Sequence, residues 1–402
     1  SDLAVLLLLF AAPWFWRGFK FVEEEKKSVV QLFGLIIVFC FWDIVTNVAA
    51  GASLGRSLLA MQHDLRPFVF VVLLWPLFAD ERLARFALWA LIAAFVVVAG
   101  VNLVATVFRF IPSGKYLWLT MHHLHGQMSV GVLFLLAQLL LIQGKPIWRL
   151  ILPLGILIVS MFIANERRAG YFLLIAALPL WVYLNREKFS VRQYRWWLFG
   201  AVVVFLSIAV SSSVVQARLA MVIHEISEYM ALTPEQRAVV TTSSGVRLQF
   251  YTSIWGVLNQ SNWWIGVGSI NFGSAFSAIN YSLGTTPELA AEYFANFQNP
   301  HNEYLFMLAT KGVVGLILYI SIFAQACRIA MLKQDGTQRL GLLMFVFLFM
   351  LSITFNSMMI DMEEGHFTMI ILLIFLAPRA LNISIGSTTK LKNSHEGLVQ
   401  SL

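Results

Sequence analysis

Long apolar runs separated by short polar breaks fill most of this chain. Eleven runs can be drawn, at about residues 3–16, 28–47, 57–79, 84–108, 117–142, 147–164, 169–184, 195–213, 304–330, 339–358 and 366–380. A helix needs about 20 mostly apolar residues to cross a bilayer, and the first, sixth and seventh runs are short by that measure. Between the eighth and ninth runs lies a stretch, 214–303, with no full-length span. Thr233-Pro234, Ser243-Ser244-Gly245, Gly266-Val267-Gly268 and Pro300 punctuate it, so it reads as a loop carrying two or three short helices. The pattern predicts an all-α fold: a polytopic membrane helix bundle of about 11–12 transmembrane helices with one large loop. Its segments are 1–213 (N-terminal spans), 214–303 (the loop), 304–380 (C-terminal spans) and 381–402, a Ser/Thr/Lys/Asn-rich tail expected to be disordered. No internal repeat is visible.

Composition sharpens this picture. The 402 residues are 59% hydrophobic and 12% charged, too apolar for a soluble protein to hide. A spanning bundle satisfies the backbone in lipid. Cys40 and Cys327 fall inside apolar runs and read as packing residues, and no cleavable signal peptide is evident. Net charge is +7, but the basic residues sit in short loops and form no nucleic-acid-binding domain. They report topology instead. Loops after odd-numbered runs, together with the tail, hold 18 of the 28 Lys and Arg, from Arg17, Lys20, Lys26 and Lys27 through Arg328, Lys333 and Arg339 to Lys392. The positive-inside rule puts these in the cytoplasm and the large loop outside. Eleven spans place Ser1 outside, and a twelfth upstream would place the N-terminus inside.

Chemistry concentrates near the large loop. Asn299-Pro300-His301-Asn302-Glu303-Tyr304 ends it and opens the ninth run, with Pro300 suited to a chain turning into a helix. His301 would stand near a helix N-terminus, which favours anions and a neutral imidazole able to act as a base. Residue type alone favours an interfacial His bonded to a loop carbonyl. Arg167 and Arg168 adjoin in a short loop on the Arg-poor side; they could grip a phosphate bidentately, or one could pair with Glu166 while the other reaches lipid headgroups. Arg247 opens the helically spaced stretch 246–258, a cation placed against the helix dipole. An anionic partner or a solvated face accounts for it. His122, His123 and His125, with Arg109 and Lys115 before them, could line a polar cavity or pack at the interface. They lack the i, i+4 pairing and the Cys or Asp of a metal set. Asp361, Glu363, Glu364 and His366 read as a solvated acidic turn. No P-loop, Rossmann glycine pattern, His-Glu-x-x-His, Gly-x-Ser-x-Gly or Asp-x-Asp occurs. Inside the spans Asp43 is the main charge, whereas ion-driven transporters need several.

Arg168-Ala169-Gly170, then Arg247 and Trp255, Gly266-Val267-Gly268, His301-Asn302-Glu303-Tyr304, and Gly312 with Gly315 resemble, in that order, the O-antigen ligase and polymerase superfamily of bacterial envelope glycosyltransferases. The resemblance covers about residues 165–320. It implies an enzyme of about twelve spans in the inner membrane, acting at the periplasmic face on undecaprenyl-diphosphate-linked glycans, with His301, Arg247 and Arg168 as catalytic residues. Arg167, Asn302, Glu303, Tyr304, His125 and Lys115 are expected to contact substrate, with no metal and no cofactor. The compact chain favours the ligase, which transfers O-antigen to lipid A-core, over protein-glycosylating relatives. The polymerase, with a second lipid-linked glycan as acceptor, shares the site. A non-enzymatic lipid or solute transporter would require charged residues within the spans and internal symmetry.

Overall fold

The computed structural model describes residues 23–78, 81–108, 130–139, 148–163, 168–188, 196, 213–237, 240, 242–282, 301–333, 336–355 and 362–376. Among these there is no β-strand, and the architecture is an all-α bundle. In chain order the helices are α1 (Glu23–Ala49), α2 (Leu54–Asp64), α3 (Arg66–Phe78), α4 (Glu81–Phe108), α5 (Val130–Leu139), α6 (Trp148–Ile163) and α7 (Arg168–Leu184). There follow α8 (Ser213–Ala231), the single turn α9 (Pro234–Arg237), α10 (Ser243–Gln260), α11 (Ser269–Ser282), α12 (Glu303–Leu332), α13 (Gly336–Ser352) and α14 (Met362–Leu376). The described part of the stretch without a full-length span, up to Ser282, folds into α8 to α11. The expected run 3–16 lies outside the described residues, as do most of 195–213, part of 117–142 and the tail.

Three described helices are long and apolar enough to cross a membrane: Glu24–Ala49, Arg82–Val101 and Glu303–Leu332. Shorter apolar helices pack around them. Large apolar side chains such as Phe41, Leu59, Phe86, Leu152 and Ile317 are exposed on the bundle surface. In water such a surface would drive association, whereas in lipid it is the ordinary exterior. The chain is a multi-pass membrane protein.

The expected span 57–79 is two helices. Between α2 and α3 the chain turns at Leu65, one residue before Arg66-Pro67. Proline lacks the N–H for an intrahelical bond and disfavours helical geometry in the residue before it, so the helix stops and restarts with Pro67 in its first turn. Ser53 caps α2 by accepting from the Arg56 amide. This short helix exposes Leu54, Leu58 and Leu59 while burying Ser57, the habit of a helix lying along an interface.

At the centre, α1 packs along α12. The two run antiparallel and are joined by two buried ion pairs, Glu25–Lys333 at one end and Asp43–Lys311 at the other. Between them an aromatic seam of Phe39, Phe68, Tyr319, Phe323 and Phe349 fills the contact. Eighteen residues separate Glu25 from Asp43 and 22 separate Lys311 from Lys333. At 1.5 Å per residue these are about 27 and 33 Å, close to the roughly 30 Å of a hydrocarbon core. The distance between the two ion pairs therefore matches the thickness of a hydrocarbon core.

A buried pair gains little net stability but is costly to break. We expect Lys311→Met, which strands Asp43, to cost about 3–5 kcal/mol. The double change Asp43→Leu/Lys311→Met should recover most of it, measured by thermal unfolding in detergent. Equal loss in both would show that the pair does not act as a unit.

Candidate functional site

Helix α12 is broken. Gly312 has φ 68° and ψ −172°, outside helical space, and the interruption frees backbone groups that lipid cannot satisfy. Four of the groups around the break find partners outside the helix. The carbonyls of Ala309 and Thr310 accept from Val267 and Gly268 N–H at 2.9 Å, and Val313 N–H donates to the Trp263 carbonyl at 2.8 Å. Trp42 Nε1 of α1 donates to the Lys311 carbonyl at 2.9 Å. The Gly266-Val267-Gly268 loop is thus seated in the gap. Gly266 and Gly268 have φ of 77° and 75°, and a Cβ on Gly266 would stand 2.6 Å from the Ala309 carbonyl oxygen. Only glycine allows both the backbone angle and the approach.

The break also folds the start of α12 back upon the rest. Tyr319 donates its hydroxyl to Glu303 Oε1 at 2.9 Å although they are 16 residues apart. In a straight helix they would be separated by about 24 Å. From α1, Asn47 Oδ1 accepts from the Ile270 amide at 3.0 Å, and the Ala50 carbonyl accepts from Asn271 Nδ2 at 2.8 Å. These bonds fix the start of α11 beside the break.

The fold-back sets the position of His301. Asn302 caps α12, its Oδ1 accepting from the Leu305 amide at 3.1 Å. Glu303, wholly buried, donates its amide to the Ile353 carbonyl at 2.9 Å. Tyr304 donates its hydroxyl to the Met350 carbonyl at 2.6 Å. The three side chains expected to contact substrate bond the protein itself and clamp the head of α12 onto Tyr319 and α13. His301 adopts φ 53°, in the left-handed region that non-glycine residues seldom occupy. Such strain persists only where the surroundings over-determine it, and it concentrates at functional sites.

The half-buried imidazole of His301 stacks on Phe250 of α10, centroids 6.3 Å apart at 24°. Phe250 meets Phe276 of α11 at 5.6 Å, Phe276 meets Phe272 at 5.5 Å, and Phe272 meets Phe306 of α12 at 5.1 Å. This aromatic chain ties α10 and α11 to the head of α12. Arg247, partly buried, precedes Phe250 by one turn. Residues three apart share a helix face, with Cβ atoms about 5–6 Å apart. The guanidinium therefore rises from the face on which His301 is stacked. The helix itself is firmly held. Tyr229 of α8 donates to Gln249 at 3.0 Å, while Gln249 and Ser253 donate to Asn280 Oδ1 of α11 at 3.2 and 2.7 Å. The N-terminus of α10 is capped by Thr242 and by Glu225, which accepts from the Ser244 amide at 3.0 Å.

Arg168 is the first residue of α7. One turn on, Phe172 packs edge-on against Phe355 at 5.2 Å, two residues past the Ile353 carbonyl that anchors Glu303. The start of α7 and the His301 turn therefore lie at the same end of α13. Arg167, His125 and Lys115 lie outside the described residues. Sequence reasoning overlooked Lys311, Trp42, Asn47 and Tyr319, which shape the site. The lone charge at Asp43 was the available signal, since a carboxylate inside a span needs a cation facing it.

Residues 153–320 match a family model described as O-antigen ligase. That interval takes in Arg168, Arg247, the glycine loop, His301 and the break in α12. No curated protein matches the chain.

A methyl group at Gly312 would collide with the Trp264 carbonyl, and the left-handed φ alone costs about 1–3 kcal/mol. Gly312→Ala should sharply lower the unfolding temperature in detergent. Gly273→Ala, in α11 with open space around it, should instead stabilise by about 0.5–1 kcal/mol. Similar behaviour of the two would remove the loop-in-gap account.

Proposed function

We propose that this chain, a glycosyl-transferring membrane enzyme of the O-antigen ligase and polymerase kind by its match over residues 153–320, is an O-antigen ligase. In this reading it moves O-antigen polysaccharide from undecaprenyl diphosphate to lipid A-core at the periplasmic face of the bacterial inner membrane. The observation that carries it is a strained His301 stacked on the helix face that presents Arg247, in a bundle with spanning helices. A lipid diphosphate can offer its phosphates to such a cation while its prenyl chain stays in lipid.

The chemistry then divides among few groups. Arg247 and Arg168 bind the diphosphate through charge-assisted hydrogen bonds and offset the negative charge that grows on the leaving oxygen. The His301 imidazole takes the proton from an acceptor sugar hydroxyl. That oxygen bonds to the anomeric carbon as the bond to the diphosphate breaks, so the configuration inverts. The proton rests on His301 until solvent removes it. Two guanidinium groups supply the positive charge that a divalent ion provides elsewhere, and this scheme calls for no metal. Asn302, Glu303 and Tyr304 act by holding the turn that presents His301, while Arg167, His125 and Lys115 extend the contacts to substrate. A polymerase would use the same groups with a second lipid-linked glycan as acceptor.

Asn tolerates the left-handed conformation but is no base, so His301→Asn separates chemistry from strain. We expect His301→Asn and Arg247→Ala to keep expression and unfolding temperature. Transfer should fall about 10²–10⁴-fold in purified protein given lipid-linked glycan and lipid A-core. Full activity in either variant removes the mechanism. Product formed only with a second lipid-linked glycan in place of lipid A-core would make the enzyme a polymerase.

A further inference from the structure

Beyond the C-terminal end of α10, on the far side from Arg247, an open groove of about 520 Å³ runs between the glycine loop, the start of α11 and the end of α1. Its polar side chains are neutral amides and hydroxyls, those of Gln260, Ser261, Asn262, Asn271 and Ser274, set among Ala50, Gly266, Val267 and Ala275. Among the described residues no charged one lines it, in contrast to the arginine-bearing site.

The groove has unspent hydrogen-bonding capacity. Asn262 Oδ1 accepts from the Trp264 amide at 2.9 Å, leaving its NH₂ for another partner. Asn271 donates to the Ala50 carbonyl, leaving Oδ1. Ser261 and Ser274 each donate to a backbone carbonyl, which leaves their lone pairs. Gln260 is exposed, and among the described residues it makes no side-chain hydrogen bond. Spare donors and acceptors therefore share one groove whose described lining carries no formal charge. A sugar hydroxyl, which both donates and accepts, matches that pattern, whereas a phosphate wants cations. Gln260 is ten residues past Phe250, about 15 Å along α10, a span that a short oligosaccharide covers. Trp263 and Trp264, 39% and 64% exposed, ride the loop between Asn262 and Gly266. Headgroup anchoring accounts for these two rings, and the amides and hydroxyls are what set the groove apart.

We infer that this groove is a subsite for an uncharged stretch of glycan, gripping sugars at a short oligosaccharide's remove from the reacting anomeric carbon. The inference rests on the transferase reading above. Donor and acceptor both carry such sugars, and the shared chemistry is the polyhydroxylated chain.

The test uses purified full chain and two variants, Gln260→Ala and the groove-filling Ser274→Trp, each checked for an unchanged unfolding temperature. The first probe is labelled glycan released from the lipid-linked donor by mild acid, and the second is labelled glycan from the acceptor. At least one should bind the unmodified chain. Gln260→Ala should weaken that binding about 3–10-fold, the loss of a neutral hydrogen bond. Ser274→Trp should abolish it, and inorganic pyrophosphate should not displace the glycan. Whichever probe binds names the source. Binding by neither, equal binding by all three proteins, or displacement by pyrophosphate overturns the subsite. In transfer assays both variants should lose more kcat/KM with long-glycan substrates than with single-sugar ones; equal losses also overturn it. Transfer by the unmodified chain without glycan binding refutes the groove alone, while binding without transfer refutes the transferase reading alone.

Discussion

Interrupting a membrane helix exposes backbone amides and carbonyls where water is scarce, and each one left unsatisfied costs several kcal/mol. In α12 that debt falls at Gly312 and is met from two directions. The glycine loop offers its amides to Ala309 and Thr310 and takes a bond from Val313, and Trp42 bonds the Lys311 carbonyl. Because these partners come from α1 and from the segment between α10 and α11, the interruption organises its surroundings. Helix α10, which carries Arg247, is held where it is because the loop at its end fits only that gap. The head of α12 folds back onto Tyr319 and brings the His301 turn against Phe250. Ion pair, loop and turn form one connected device, and the strain at His301 is tolerated because that device over-determines it.

Much of this was legible in the chain. Apolar runs of spanning length gave the bundle, because the bilayer imposes a length and a composition that few other settings demand. The His301 turn was marked by Pro300 before it and by a helix-capping residue, Asn302, after it. The glycines at 266, 268 and 312 could be noticed as motif residues, but their purpose could not. Positive φ at three separate positions becomes meaningful only when the three backbones meet. Asp43 stood out as a charge in an apolar run, yet its partner, 268 residues away, did not. Lys311 follows a stretch that reads as unbroken helix, and nothing local distinguishes a buried lysine from one at a helix end. The break at Leu65 was the reverse case. Arg66-Pro67 announced it, but the surrounding hydrophobicity outweighed the proline in a reading guided by length.

Asn302, Glu303 and Tyr304 show how a motif can hold its own backbone turn in place. Their side chains cap a helix, bond Tyr319 and bond the Met350 carbonyl. A substitution at any of them would be felt through the place and angle of the imidazole, which rate measurements alone cannot tell from a missing contact.

The pairs Glu25–Lys333 and Asp43–Lys311 give the protein a built-in ruler. Their spacing fixes the apolar belt of α1 and α12 to one lipid length, and stretching or thinning the surrounding bilayer meets a rising elastic penalty, a fraction of a kcal/mol per Å. Lys311 also adjoins the interruption at Gly312, so the break in α12 is tied to one mark of that ruler. In a membrane of mismatched thickness, tilting of the helices or deformation of the lipid would come before any shift of that mark along α1.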